Sequence, residues 1–337
     1  MRKEASVEDW KSLYDVTTRI QQMKPWEYLW DMDLIGIQCG EEEETVFYSV
    51  LGHGGECYGI AVYEGYDAFN QYLMLAMRER LNLSNEYVMF NQKNLTCYWG
   101  NREELTDKQR NVIKELGYKY RGKNQWLYFQ SYEPGYYPFN LSLDEVQRMT
   151  EHMNDLELAL KHYIEAGITV GFDNGNMFSF VFGNNKKTWD FGEKPLPFTA
   201  FQFGNLIITD DELLEELANV PKGKMYLEVD ISPMGVSVSE KKYDRPANPV
   251  MCLIADAMSE MIIKCEMEEP GTDPIVELAE EIIGFIFAYG APKEIQVSNV
   301  IVESGLEQIC DVCKIKLRRI KKLKALEHFK TGMKRYM

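Results

Sequence analysis

The chain has 337 residues, of which 45% are hydrophobic and 27% are charged, and it carries a formal net charge of −16. This length exceeds that of an average domain, and so negative a chain is not expected to bind nucleic acid or an anionic membrane non-specifically. Seven scattered cysteines disfavour a disulfide framework, and no apolar run approaches the ~20 residues that cross a bilayer, so we expect a cytoplasmic protein.

An α/β architecture (α+β overall) with two mixed-sheet domains is predicted. Residues 1–167 form the first domain, 168–223 a β-rich connection with a short helix, and 224–337 the second domain. An amphipathic helix opens the chain over Val7–Ile20 and ends at Pro25. The other elements predicted for the first domain are strands at Leu34–Gln38, Thr45–Leu51 and Tyr58–Tyr63, a helix at Asp67–Leu81, strands at Tyr87–Phe90 and Leu95–Trp99, a helix opened by Thr106, a strand at Trp126–Gln130 and a long helix capped by Ser142.

The middle of the chain combines a turn signal with strand-like runs. Thr169–Phe172 and Met177–Phe182 flank Asp173-Asn-Gly, a sequence typical of hairpin turns, so we expect these two runs to pair. Further elements predicted here are strands at Lys187–Phe191 and 198–203 and a short helix begun by Thr209.

The last third has the most informative order of elements: two or three strands, then helix, strand, helix, strand and helix. The predicted elements are strands at Lys224–Ile231, Pro249–Asp256 and Met261–Met267, either a strand or a loop at Gly235–Ser239, a helix at Pro274–Tyr289, a strand ending at Val297, a helix at Glu303–Cys313, a strand at Ile315–Ile320 and a helix from Leu326. This alternation predicts parallel crossovers. The order resembles that of ribonuclease H-like domains, including integrases.

That resemblance implies a metal-dependent nuclease, which needs carboxylates converging on two metal ions. Asp230 suits the first strand, and Glu277 or Glu281 could serve from the following helix. The fourth strand, however, ends in Ser298-Asn299 and offers no acid. The sequence therefore favours a ribonuclease H-like fold without its usual catalysis.

No other motif predicts a metal or a cofactor. Cys310-x-x-Cys313 lacks a second ligand pair, and both cysteines share one apolar helix face, which is typical of core residues. The Gly52–Gly59 loop precedes a strand instead of opening a helix, which favours a hairpin turn over a phosphate site. We expect neither metal nor cofactor.

Two surfaces are candidates for recognition. Large aromatic side chains in turns could form one of them, at Trp26, Trp30, Tyr136 and Tyr137. The other is the basic C-terminal run, which includes Arg318, Arg319, Lys321 and Lys322 and extends to Lys334 and Arg335. That run is either a nucleic-acid or acidic-partner patch, or a solvated face lying against the acidic body.

The sequence resembles an uncharacterised bacterial family in four segments, namely Lys24–Ile37, Tyr58–Gly65, Tyr132–Pro138 and Gly290–Val297. Its members have two successive domains of unknown function, which would cover about residues 8–165 and 224–335 here. The resemblance implies no activity, cofactor or catalytic residue.

Three hypotheses of function follow. The leading one is a non-enzymatic binding or interaction protein with a catalytically degenerate ribonuclease H-like domain, whose partner is unknown and could be a protein. The alternatives are a nuclease that uses Asp230 with Glu277 or Glu281, and a nucleic-acid binder that uses the C-terminal basic run. Nucleic acid is the less favoured partner, and no membrane role is expected.

Overall fold

The computed structural model describes residues 2–40, 43–183, 186–197 and 206–333. These residues contain ten α-helices: α1 Val7–Met23, α2 Gly65–Ala76, α3 Arg78–Leu81, α4 Asn85–Phe90, α5 Asp107–Glu115, α6 Leu143–Glu165, α7 Asp211–Ala218, α8 Pro274–Tyr289, α9 Val300–Val312 and α10 Lys324–Met333. The same residues contain twelve strands: β1 Ile35–Cys39, β2 Val46–Leu51, β3 Gly59–Glu64, β4 Asn94–Gly100, β5 Trp126–Tyr132, β6 Asn176–Phe182, β7 Trp189–Pro195, β8 Tyr226–Pro233, β9 Val250–Asp256, β10 Ile262–Glu268, β11 Glu294–Val297 and β12 Lys316–Arg319.

The chain divides into two compact units, each made from more than one stretch. Unit 1 comprises Met1–Ala76, Gln92–Glu133 and Pro138–Thr199, and unit 2 comprises Met77–Asn91, Pro134–Tyr137 and Ala200–Met337. The predicted connecting segment is shared, because β6 and β7 belong to unit 1 and α7 belongs to unit 2. Unit 2 also includes two short segments that lie within the predicted first domain, Met77–Asn91 and Pro134–Tyr137.

Unit 1 is built on a seven-stranded mixed sheet with the order β5-β4-β3-β2-β1-β6-β7, in which only β1 and β6 are parallel neighbours. Alternate side chains of its strands face opposite sides. One face packs with α1 and α6, and the other packs with α2 around Phe47 and Phe69. The predicted Ser142 cap of α6 is confirmed, since Ser142 and Glu145 form a capping box.

Unit 2 is built on a five-stranded mixed sheet with the order β10-β9-β8-β11-β12. β8, β9 and β10 form an antiparallel meander, while β11 and β12 run parallel to β8. The predicted ribonuclease H-like order is confirmed: a three-stranded meander, then two parallel strands added on the far side of the first strand, each preceded by a helix. None of the helices formed by the described residues is long and apolar enough to span a membrane.

The two faces of this sheet differ in what covers them. Leu227, Val229 and Ile231 of β8 lie in the core with α8 and α9. Because side chains alternate along a strand, Glu228 and Asp230 lie on the opposite face, where α10 packs. Two carboxylates of one central strand are thereby buried beneath the last helix, with relative exposures of 3% and 6%.

The predicted strand at Tyr87–Phe90 is wrong, because these residues form α4. Ser84 is the N-cap of this helix, and its side chain accepts a hydrogen bond from the Tyr87 backbone N–H. The cap and its first turn outweigh the strand preference of Tyr and Val. The single helix predicted at Asp67–Leu81 is likewise divided into α2 and α3 at Met77, whose backbone leaves the helical region.

One predicted pairing in the middle of the chain is wrong, and one segment considered as a strand in the last third does not form one. Thr169–Phe172 forms no strand, and β6 pairs with β1 and β7 instead. Gly235–Ser239 contributes a single bridge between Val238 and Ala247 rather than a strand. The strand predicted at 198–203 lies outside the described residues.

The crossing of α8 and α9 supplies a stability test. A Cβ added at Gly305 of α9 would overlap Cγ2 of Ile275, whereas one added at Gly284 of α8 would meet no atom within 4 Å. We expect Gly305→Ala to lower the free energy of unfolding by about 1–3 kcal/mol through overpacking. Gly284→Ala should raise it by roughly 0.5–1 kcal/mol through helix propensity. Urea unfolding of the full chain measures both, and equal effects at the two positions would contradict a close α8–α9 approach.

Candidate functional site

The candidate site is centred on the carboxylate of Asp230 in β8. Its Oδ1 accepts hydrogen bonds from Ser298 Oγ at 3.3 Å and from Asn299 Nδ2 at 3.2 Å. Its Oδ2 accepts one from Lys330 Nζ in α10 at 2.7 Å. The Asp230 side chain is 8% exposed and that of Lys330 is 22% exposed, so this ion pair is largely shielded from water. A buried carboxylate is tolerated here because a positive charge and two further donors satisfy it.

Ser298 and Asn299 reach this carboxylate because they directly follow β11, the parallel neighbour of β8. Asn299 is the N-cap of α9, and its Oδ1 accepts from the backbone N–H groups of Ile301 and Val302. With its oxygen occupied in this way, its Nδ2 is left to donate to Asp230. The N-terminus of α9, which is the positive end of its helix dipole, therefore lies beside the carboxylate.

The sequence predicts Lys330 only as one cation of the basic C-terminal run. It is four residues after Leu326, which is fully buried, and three before Met333. It therefore lies on the inward stripe of α10 rather than on a solvated face. A lysine on an apolar helical stripe is the signal that could have predicted a buried carboxylate partner.

A cavity of about 380 Å³ opens beside the Asp230–Lys330 pair, entirely within unit 2. Its polar side chains include Asn82, Ser84, Ser232, Asn299, Lys321 and Thr331. Three methionines, Met234, Met251 and Met333, form an apolar part of the wall. The volume lies within the range of small-molecule pockets, and the lining offers both hydrogen-bonding groups and an adaptable apolar surface.

The segment that carries α3 and α4 supplies one wall of this cavity. Asn82 Nδ2 donates to the backbone carbonyl of Ser298 at 2.7 Å, which fixes the segment at the β11–α9 junction. Burial raises the pKa of Tyr87 well above its usual range, and the nearby Asp273 and Asp230 raise it further. The Tyr87 hydroxyl therefore stays protonated and can donate a hydrogen bond.

The structure does not bring the predicted nuclease carboxylates to one place. Glu281 pairs with Lys264 at 3.0 Å on the α8 side of the sheet. Glu277 lies in α8 one turn before Glu281, and its charge, together with burial, raises the pKa of Glu268 in β10, with burial the larger cause. Asp230 faces α10 on the other side. Within the described ranges, no three or more His, Cys, Asp or Glu side chains are grouped to hold a metal ion.

The predicted aromatic surface is divided between the two units. In unit 1, Trp26 packs edge-on against Tyr58 and Trp99 as part of the interior, whereas Trp30 is 52% exposed and lies 3.9 Å from the His53 ring.

In unit 2, Tyr137 packs edge-on against Phe90 at 4.8 Å, and the Arg245 guanidinium lies 5.8 Å from the Tyr136 ring. These two tyrosines therefore make contacts within unit 2, and Trp30 is the most exposed of the four aromatic candidates.

Much of the basic C-terminal run is paired with acids of unit 2. Glu294 accepts from both Lys316 and Arg318, at 2.8 and 3.0 Å, and Glu303 pairs with Arg319 at 3.0 Å. The remaining residues of the predicted set are Lys321, which lines the cavity, and Lys322, which is exposed. Lys334 and Arg335 lie outside the described residues.

Comparison with protein families identifies both parts of the chain. The model of a domain of unknown function, DUF7309, matches residues 10–179, and that of a second, DUF6930, matches residues 213–334. The chain belongs to the DUF7309 family. A search of curated proteins finds no match for this DUF7309 member.

Solved structures similar to this DUF7309 protein include viral integrases. The HTLV-2 integrase catalytic core domain in complex with magnesium (trimeric form) has 16% identity and a TM-score of 0.25, covering 34% of this chain and 68% of that chain. The simian T-cell lymphotropic virus intasome in complex with PP2A regulatory subunit B56 gamma has 14% identity and a TM-score of 0.25, covering 34% and 42%. The ribonuclease H-like assignment rests on the strand order of unit 2 rather than on these likenesses.

The Asp230–Lys330 ion pair predicts that substitutions at its two positions do not have additive effects on the free energy of unfolding. Lys330→Met should lower the free energy of unfolding by about 2–4 kcal/mol, because it leaves a buried carboxylate without its counter-charge. Adding Asp230→Asn should restore part of that loss, with a coupling of roughly 1–3 kcal/mol. The control Lys324→Met removes an exposed partner of Glu260 and should cost less than about 1 kcal/mol. Strictly additive losses at Asp230 and Lys330 would contradict the pairing.

The partners of Glu294 predict that the free energy of unfolding depends on pH. Burial raises its pKa, but hydrogen bonds from Lys316 and Gln296 and the charge of Arg318 outweigh burial and lower it below the ordinary 4.5. Its ionised form therefore stabilises the fold fully above the unfolded-state pKa, and this contribution is lost as pH falls through the lowered folded-state pKa. Glu294→Gln should cost about 1–2 kcal/mol at pH 7. The difference from the parent should shrink as the pH falls through the lowered folded-state pKa of Glu294, and a difference that is constant with pH would contradict this origin.

Proposed function

We propose that the chain is a non-enzymatic binding protein whose unit 2 keeps a ribonuclease H-like fold without its metal chemistry. The observation that carries the proposal is the saturation of Asp230 by Lys330, Ser298 and Asn299. Two-metal catalysis needs several carboxylates around a shared pair of cations. Here the end of the fourth strand supplies a hydroxyl and an amide, and the last helix supplies an ammonium.

This set of groups does not fit a divalent metal pair. A metal ion at Asp230 would lie beside the Lys330 ammonium, which repels it and already compensates the carboxylate. The buried lysine replaces the metal as the source of positive charge at this edge of the sheet. The fold can then be stable without a bound ion.

The cavity beside this pair is the binding site that we assign to unit 2. Its volume of about 380 Å³ suits a small polar ligand rather than a duplex, and its wall combines hydroxyl, amide, ammonium and carboxylate groups with methionine side chains. A ligand there would contact β8, the β11–α9 junction, α10 and the α3–α4 segment. The function proposed is recognition at this cleft, with no bond broken in the ligand.

The test is a Mn²⁺ titration by calorimetry together with a cleavage assay on single- and double-stranded DNA and RNA. We expect no stoichiometric Mn²⁺ binding and no cleavage above that of the Asp230→Asn variant, because the carboxylate is already engaged. Thermal unfolding first checks that Asp230→Asn is folded. Mn²⁺-dependent cleavage by the parent that disappears in folded Asp230→Asn would contradict the proposal and support a nuclease.

A further inference from the structure

The strand β12 lies at one edge of the unit 2 sheet. Among the described residues it has a hydrogen-bonded strand neighbour, β11, on one side only. The backbone N–H groups of Lys316 and Ile320 donate to carbonyls at the β11 side, those of Lys293 and Val297. In a parallel ladder the backbone N–H and C=O groups of alternate residues face the same neighbouring strand. The backbone groups of Leu317 and Arg319 therefore face away from β11, toward the free edge. Such an edge can accept an added strand.

The side chains along this edge are basic on both faces of the sheet. Lys316 and Arg318 point to one face and Arg319 to the other, with side-chain exposures of 65%, 49% and 47%. Lys314 precedes the strand and Lys322 follows it, and 314–322 contains no acidic residue. We call Lys314, Lys316, Arg318, Arg319 and Lys322 the basic edge.

The acids of unit 2 neutralise this edge only in part. Glu294 pairs with both Lys316 and Arg318, and Glu303 pairs with Arg319. Five cations of the basic edge therefore face two paired carboxylates, which leaves an excess of three positive charges. The whole chain has a net charge of −16, so the basic edge is a positively charged region on an otherwise negative protein.

We propose that the basic edge docks a short acidic peptide of a partner protein, which adds to the sheet as a sixth strand beside β12. Main-chain hydrogen bonds to Leu317 and Arg319 would hold the peptide, and its Asp or Glu side chains would meet Lys316 and Arg318 on one face and Arg319 on the other. The negative charge of the whole chain opposes a long polyanion, whereas a short strand contacts the basic edge alone. This docking is independent of the cavity beside Asp230.

The probe is a fluorescein-labelled ten-residue peptide of alternating Glu and Val, measured by fluorescence anisotropy against the full chain at two salt concentrations. A second peptide of equal charge is N-methylated at every residue, so whichever set of its N–H groups would face β12 cannot donate to it. We expect salt-sensitive binding of the first peptide and binding at least about tenfold weaker for the second. Equal affinities for the two peptides, or no binding of the first, would overturn the proposal.

Two protein variants separate charge from backbone. Arg319→Gln removes one cation and keeps the outward N–H, whereas Arg319→Pro removes the N–H as well without breaking the ladder to β11. We expect Arg319→Pro to bind the alternating peptide about fivefold or more weakly than Arg319→Gln, and Arg318→Glu to abolish binding in a folded protein. Identical affinities for the two Arg319 variants would show that no strand is added. Tighter binding of a single-stranded oligonucleotide that displaces the peptide would replace the proposal with a nucleic-acid interface.

Discussion

The arrangement of unit 2 depends on the ion pair between Asp230 and Lys330. A carboxylate on the central strand of a sheet is costly to bury, and α10 supplies the opposite charge for this one through Lys330. The same carboxylate holds Ser298 and Asn299 at the start of α9. One buried charge therefore joins three elements, β8, the β11–α9 junction and α10, that are far apart in the sequence.

The same physical requirement determines how a carboxylate is kept on the central strand of this ribonuclease H-like sheet. In a nuclease of this fold several carboxylates repel one another until cations bind between them. At Asp230 the opposite charge is the Lys330 ammonium, and the remaining partners are the neutral donors Ser298 and Asn299. The cavity of about 380 Å³ opens beside this group of side chains.

Several elements could be predicted because local signals agreed with their final environment. The alternation along β8, β9 and β10 and the helical periodicity of α8 and α9 predicted the order of unit 2. At Tyr87 the signals conflicted, since the residue types favour a strand while the Ser84 cap favours a helix. The pairing of β6 with β1 could not be predicted either, because a turn signal at Asp173 suggested a nearer partner.

The sequence by itself determined the strand and helix alternation of the last third and the absence of an acid at Ser298-Asn299, because both depend on residue identity at consecutive positions. Only the tertiary structure decided that Lys330 reaches Asp230, that Glu277 and Glu281 lie on the other face, and that Asn82 and Tyr87 complete the cavity. The contacts of Lys330, Asn82 and Tyr87 join residues between 100 and 216 positions apart along the chain. No local pattern specifies such distances, because they are set by how the sheet faces and helices pack.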